Sequence, residues 1–290
     1  MPMPSRRQLL VYLVSLSLAP WRALGTVERA PVRIGITPVF QTERTSTIRA
    51  WRDYLERRLE RPVSFEQSNT YRDIINNLLA RRLDFAWICG LPYVSNRSRL
   101  ALTAAPLYQG APLYRSYLIV PARDTTTERL ADLRDKVFAY ADPDSNSGFL
   151  VPHFQLIQQG LDPDTFFRKT FFTSGHSNAI KAVGVGLADG AHVDGYIWET
   201  MQRFNPEITD LTRVVTQSKP FAFPPIVAGP KASPELNTRM RDVLLAMGSD
   251  PDAVQLLDHL NLDGFTRITP AAYKDIAEMA QLIEERQHVQ

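Results

Sequence analysis

A single cysteine, Cys89, stands in the 290-residue chain, so no disulfide can form within it and stability has to come from a buried core. An excess of either charge is also missing. The 33 basic residues face 31 acidic ones, which argues against a nucleic-acid partner, since such a partner favours a basic face. Beyond the first 20 residues, no stretch approaches the roughly 20 apolar residues that a membrane-spanning helix needs. Several catalytic signatures are absent as well. There is no His-Glu-x-x-His metal motif and no Gly-x-x-x-x-Gly-Lys phosphate loop. The Gly-x-Ser-x-Gly elbow of α/β-hydrolases is lacking too. No cofactor or metal is called for, and an enzyme is not expected.

What is present begins at the N-terminus. Arg6 and Arg7 precede the uncharged stretch Leu9 to Ala19, and the small residues Ala23 and Gly25 follow. A basic region, a short apolar run and small residues before a cleavage point predict a secretory signal peptide over residues 1–25. The alternative is a membrane anchor, but the run stops at Pro20, short of a spanning length. Ser5-Arg6-Arg7 before Leu9-Leu10 also fits a twin-arginine export signal, and the export route stays open. Removing the segment takes away Arg6, Arg7 and Arg22 and leaves 30 basic against 31 acidic residues, a net charge of −1. A soluble, exported, monomeric protein of the periplasm is expected.

Helical and strand patterns then alternate. Val32–Ile36, Val63–Phe65, Asp84–Ile88, Lys136–Tyr140, Thr170–Phe172 and Val193–Ile197 read as strands. Between them lie helical stripes, such as Ile48, Trp51, Leu55 and Leu59, or Ile74, Ile75, Leu78 and Leu79. A third stripe carries Ile180, Val183 and Leu187. Repeated βα units predict an α/β fold with largely parallel sheets covered on both faces. Two extended runs, Tyr117–Arg123 and Pro225–Lys231, each end in proline and a basic residue about 100 residues apart. They are expected to be paired crossover strands forming a hinge. This gives a first lobe of residues 26–119 plus 229–290, the C-terminal helices included, and an inserted second lobe of residues 120–228.

In open α/β sheets, ligands bind beyond the carboxyl ends of the strands. Ala141-Asp142-Pro143-Asp144-Ser145-Asn146-Ser147-Gly148 follows one strand and leads to a helix expected near Phe149. Helix N-termini hold unpaired N–H groups and attract anions. Ser145 and Ser147 add hydroxyls, and Gly148 permits close backbone approach, although Ser, Asn and Asp are also ordinary capping residues. Thr173-Ser174-Gly175-His176-Ser177-Asn178-Ala179 repeats the arrangement. There His176 can give an anion a hydrogen bond, charge-assisted if protonated. Asp194 closes a third strand. Its carboxylate can accept a hydrogen bond from a P–OH group and so reject a fully ionised anion such as sulfate; alternatively it only ties down backbone amides.

Three motifs taken together carry a resemblance. They are Ser145-Asn146-Ser147-Gly148 with Pro152 soon after, Gly175-His176 followed by Ala179 and Ala182-Val183, and Ala188-Asp189-Gly190 leading to Val193-Asp194-Gly195-Tyr196. In order and spacing, over roughly residues 30 to 270, the chain resembles the periplasmic phosphate, phosphite and phosphonate-binding proteins of ATP-driven uptake systems. The resemblance implies a two-lobed, type II-like periplasmic binding protein clamp around a tetrahedral oxyanion, delivered to an ABC permease. Carried over from it as ligand-binding residues are Ser145, Asn146, Ser147, His176 and Asp194, with Tyr71 and Ser116 from the opposite lobe. The family loop often has Thr where this chain has Asn146.

Cys89, in Trp87-Ile88-Cys89-Gly90, ends a strand facing the expected cleft. Free cysteine is most often a small buried hydrophobe. Some relatives of the family sense arsenite through a cysteine and signal to a membrane histidine kinase, so Cys89 as a soft ligand in a sensor is the alternative. Ser147, His176 and Asp194 also supply the residue types of a hydrolase triad, without its usual chain order.

Overall fold

The computed structural model describes residues 30–37 and 45–287; the expected signal peptide, residues 1–25, lies outside them. The chain opens with β1 (Val32–Ile36), α1 (Thr45–Leu59), β2 (Val63–Gln67), α2 (Tyr71–Leu79), β3 (Phe85–Trp87) and α3 (Gly90–Ser95). β4 (Ala101–Leu107) and the short β5 (Leu113–Tyr114) lead into β6 (Ser116–Pro121). A second series follows: β7 (Val137–Tyr140), α4 (Val151–Gln158), α5 (Pro163–Phe166), β8 (Lys169–Phe172), α6 (His176–Gly184), β9 (Gly190–Asp194), α7 (Gly195–Phe204), α8 (Pro206–Thr209) and β10 (Thr212–Gln217). The return runs through β11 (Phe221–Ala222), β12 (Ile226–Ala228), α9 (Pro234–Ala246), α10 (Val254–Leu260), β13 (Gly264–Thr266) and α11 (Lys274–Gln287).

Local chemistry explains several of these boundaries. Thr70 caps α2 by accepting the Asp73 N–H at 3.1 Å. Ser233 does the same for Leu236 at the start of α9, where Pro234 occupies the first turn at no hydrogen-bond cost. Along α1 the apolar stripe buries Trp51, Leu55 and Leu59. The Trp51 ring lies 5.2 Å from Phe65 and 5.7 Å from Trp87, joining helix to sheet.

Among the described residues two large sheets form, in the orders β13-β4-β12-β3-β1-β2 and β10-β6-β9-β7-β8, beside the two-stranded β11-β5. Neither is largely parallel. β1, β2 and β3 run parallel, as do β7, β8 and β9, but β4, β12 and β13 enter the first sheet with antiparallel pairings and β6 and β10 enter the second antiparallel. These antiparallel strands include those that carry the chain between the sheets, so their direction follows from the connection. The two runs expected to pair with one another do not. Tyr117–Pro121 pairs with β9 and β10, whereas Ile226–Ala228 pairs with β3 and β4 in the first sheet. The paired connection is β5 against β11, Leu113 opposite Ala222 and Tyr114 opposite Phe221. The expected edges at 119/120 and 228/229 fall within β6 and directly after β12.

Two smaller expectations are also corrected. The strand that was to reach Ile197 ends at Asp194, whose side chain caps α7. The stripe through Leu187 stops at Gly184, and Leu187 is 68% exposed.

Polar contacts span the seam on both flanks. Arg72 at the start of α2 makes two hydrogen bonds to Asp144, at 2.8 and 2.7 Å. On the other flank, α7 presents a helical stripe to the first lobe. Tyr196 Oη donates to the Leu260 carbonyl at 2.5 Å, and Tyr108 Oη donates to Glu199. Asn261 Nδ2 donates to Thr200 Oγ1 at 2.9 Å, and Arg203 reaches Asn261 at 2.9 Å and Asp258 at 2.5 Å.

Candidate functional site

The loop after β7 is held by its own hydrogen bonds and close contacts. Ser145 Oγ accepts the Gly148 N–H at 3.0 Å. Leu150 N–H reaches back five residues to the Ser145 carbonyl at 3.0 Å, which gives Asn146–Leu150 a wide, π-type first turn. The helix expected near Phe149 therefore starts three residues earlier, with Ser145 as its cap. Asn146 and Ser147 are completely buried in this turn. Gly148 is required by contact: a Cβ there would lie 2.5 Å from Ala141 Cβ and 3.1 Å from His176 Cε1.

His176 begins α6 and is buried against this loop. Its Nδ1 accepts the Asp194 N–H at 3.1 Å, so the ring proton sits on Nε2, 3.4 Å from Ser145 Oγ. Burial pushes the imidazole pKa down to about 3. Near neutral pH, the bond that the sequence offered as charge-assisted is a neutral one. Asp194 accepts the N–H groups of Tyr196 at 2.9 Å and Ile197 at 3.4 Å through the same oxygen, Oδ1. Burial raises its pKa to about 7, against the pull of those two amides.

The first lobe contributes Tyr71, Cys89 and, from the connection, Tyr114. Tyr71 opens α2 and donates its backbone N–H to Asp142 at 3.3 Å. Cys89 Sγ accepts the Asn146 N–H at 3.2 Å. Its thiol is pushed up to about 11 by burial, so near neutral pH it is uncharged. Tyr114 accepts Asn146 Nδ2 at 2.8 Å. Sequence reasoning missed Tyr114; its only signal was an aromatic residue just before the crossover. Both tyrosines are raised well above the ordinary phenol value, first by burial and then by Cys89, with the Asp194 carboxylate adding to the effect.

Three buried polar atoms in this cluster have no hydrogen-bond partner: Tyr71 Oη, Asn146 Oδ1 and Ser147 Oγ. Unmet buried polar groups are rare and costly. Two of the three are hydroxyls with a proton to give, one from each side of the seam, and the third is an acceptor. None of the gathered side chains is Lys or Arg.

Ser116 does not belong with them. It lies on β6, in the same sheet as Asp194, and it is not in the opposite lobe. Its hydroxyl is already committed to the Ser147 carbonyl at 2.8 Å and His192 Nδ1 at 2.7 Å. The hydrolase relay does not assemble either. His176 Nδ1 holds the Asp194 amide, not its carboxylate, and Ser147 Oγ is without a partner. Among the described residues, no three His, Cys, Asp or Glu side chains gather as a metal site, and no helix is long and apolar enough to cross a membrane.

Residues 34–273 match the family model described as the ABC transporter, phosphonate, periplasmic substrate-binding protein. The phosphonates-binding periplasmic protein of Escherichia coli is 26% identical over 264 residues, 87% of this chain and 77% of that protein. The phosphate-import protein PhnD of Mycolicibacterium smegmatis is 28% identical over 191 residues; the match covers 61% of this chain and spans 58% of that relative's length. Among solved structures, a binding protein component of an ABC phosphonate transporter from Pseudomonas aeruginosa superposes with a TM-score of 0.81 at 23% identity, covering 89% of this chain and 88% of the other. Prochlorococcus marinus PhnD1 in complex with methylphosphonate gives a TM-score of 0.79 at 20% identity, covering 87% and 98%. At these identities the structures establish a common fold, that of two-lobed periplasmic binding proteins.

Proposed function

Because this chain belongs to the family of periplasmic substrate-binding proteins of phosphonate ABC transporters, we propose that it captures a small, singly protonated oxyanion of phosphorus (a phosphonate, phosphite or phosphate) and delivers it to an ABC permease. The observation that carries this reading is the set of three partnerless buried atoms. The Tyr71 and Ser147 hydroxyls suit P–O⁻ oxygens, and Asn146 Oδ1 suits a P–OH. Asp194, raised to about 7 by burial, is an alternative acceptor for that proton when it is ionised. His176 Nε2–H and the Ser145 hydroxyl complete the donor set on the second lobe. With no cation in the cluster, the site uses neutral dipoles, and a fully ionised anion leaves Asn146 Oδ1 facing an oxygen lone pair.

Among the described residues, the lobes are 30–37, 45–107 and 226–287, and 116–217, joined by the connections that carry β5 and β11. The protein works in the periplasm after cleavage near Gly25. Arsenite sensing through Cys89 is the weaker reading, because a thiol at about 11 is not the soft thiolate that metalloids prefer.

A thermal-shift panel of phosphate, phosphite, methylphosphonate, sulfate, arsenate and arsenite tests the proposal. A ligand at about 100 times its Kd stabilises the fold by about 2.7 kcal/mol. Stabilisation by the phosphorus oxyanions and none by sulfate is the expected pattern. Stabilisation by arsenite alone overturns it.

A further inference from the structure

In the wide turn after Ser145, each N–H reaches back five residues. Leu150 bonds Ser145, and Val151 bonds Asn146. The next bond in the series would run from residue 152 to Ser147, but residue 152 is proline and has no N–H. The Ser147 carbonyl, in a residue with no exposed surface, thus lacks its helical donor. A buried carbonyl needs a partner, and Ser116 Oγ supplies one at 2.8 Å.

A serine hydroxyl has one proton to give. With that proton on the Ser147 carbonyl, the 2.7 Å contact between Ser116 Oγ and His192 Nδ1 runs the other way, Nδ1–H donating to Oγ. His192 is buried, its Nε2 has no partner, and burial holds its pKa near 3, in keeping with a neutral ring that carries its proton on Nδ1. The Ser116 backbone is committed as well. Its N–H donates to Ser218 Oγ and its carbonyl accepts the Ser218 N–H, each at 2.9 Å. Ser116 opens β6 on the outgoing connection, and Ser218 follows β10 on the returning one. Both connections between the lobes therefore meet at the serine that holds the ligand loop.

We propose, resting on the oxyanion reading, that Ser116 and His192 are positioning residues that replace the N–H missing at Pro152, fix the Ser147 peptide so that its free hydroxyl faces the ligand, and couple that loop to the hinge. Neither touches the ligand. The chain of bonds runs His192 Nδ1–H to Ser116 Oγ–H to Ser147 C=O, and each proton has one acceptor.

Calorimetry with methylphosphonate and inorganic phosphate as probes tests the arrangement. Ser116→Ala is expected to weaken binding about ten-fold, the effect of one lost hydrogen bond. Pro152→Ala returns an N–H to the turn. Alone it should bind like wild type, and in the Ser116→Ala background it should recover most of the lost affinity. A double variant no better than Ser116→Ala, or a Ser116→Ala that binds like wild type, overturns the proposal. Nitrogen-15 NMR of the wild-type histidines provides a second readout, independent of ligand and of how the variants fold. His192 should be the Nδ1–H tautomer; the Nε2–H tautomer overturns the relay. If that tautomer is found while the wild type binds neither probe, the relay stands and the oxyanion reading falls.

Discussion

His176 Nδ1 accepts the backbone N–H of Asp194 at 3.1 Å, and this one bond sets the chemistry of both ends. It places the imidazole proton on Nε2, toward Ser145 and the ligand space, and it seats Asp194 where its carboxyl caps α7. Removing a donor to a charged ligand costs about 1.5–3 kcal/mol, so His176→Ala and Ser147→Ala should each weaken oxyanion binding by about ten- to a hundred-fold. The two serines of the loop should separate. Ser147 Oγ has at most a loose contact with the Tyr114 hydroxyl, so its loss should change thermal stability little. Ser145 Oγ is a cap, and Ser145→Ala should cost about 1 kcal/mol of stability. Ligand titrations of both variants with parallel melts check this; wild-type affinity in His176→Ala and Ser147→Ala would reduce these residues to structural roles.

Asp194 and the buried histidines pull the pH dependence of stability in opposite directions. His176 and His192 titrate near 3 in the fold, against about 6.5 when unfolded, so the stability they contribute is present above about pH 6.5 and is lost as pH falls toward 3. His153 is lowered in the same direction by burial. Asp194 titrates near 7 in the fold, against about 3.8 unfolded, so its contribution is full below about pH 3.8 and is lost as pH rises through 7. Between about pH 4 and 6.5, Asp194 therefore offsets one histidine's worth of proton uptake by the unfolded chain. Asp194→Asn removes that offset. Its stability should fall more steeply on acidification than that of the wild type, by about 1.4 kcal/mol per pH unit. Urea melts across this range measure both slopes, and parallel slopes would mean that Asp194 titrates normally in the fold.

The α/β class and the three loops were legible in the sequence because strand, turn and helix signals sit beside one another in each motif. What escaped was set by long-range partners. Whether Val193-Asp194-Gly195-Tyr196-Ile197 continues as a strand depends on Asp194 turning its carboxyl onto the next two amides, which apolar pattern does not encode. Ser116 and Tyr114 show the same limit. Ser116 was grouped with ligand contacts, yet its hydroxyl is spent on a carbonyl 31 residues away, and Tyr114 enters the site only because Asn146 bonds it across 32 residues. The hinge pairing of Leu113–Tyr114 with Phe221–Ala222 involves two residues on each side, too few for an alternation to stand out.

Cys89 touches the ligand loop through a weak bond, its Sγ accepting the Asn146 N–H. With the thiol uncharged near neutral pH, Cys89→Ser replaces one poor acceptor with a slightly better and smaller one. Binding of a phosphorus oxyanion should stay within a few-fold of wild type. Arsenite binding present in the wild type and abolished in the variant, with neither protein binding phosphate or phosphonate, would return the soft-ligand reading to first place. Calorimetric titration of both proteins with both ligand classes decides between them.

The seam is held on its two flanks by Arg72 with Asp144, next in the chain to the site residues Tyr71 and Ser145, and by Arg203 with Asp258 and Asn261, away from the site. Arg72, Arg203 and Asp258 are largely exposed, so each pair is worth about 0–1 kcal/mol and is screened by salt. That is too little to hold the lobes shut without ligand, but enough to bias the closed population, and apparent affinity scales with that population. In small-angle scattering, the wild-type radius of gyration should shrink when ligand saturates the protein. An Arg72→Ala/Arg203→Ala double variant should be larger than wild type without ligand, equal to it with ligand, and weaker in binding by up to about thirty-fold. High salt should reproduce the variant's behaviour in the wild type. A wild-type radius that does not change on confirmed binding removes the hinged clamp; a double variant matching wild type in radius and affinity leaves closure to the ligand and the α7 contacts of Tyr196, Glu199 and Thr200.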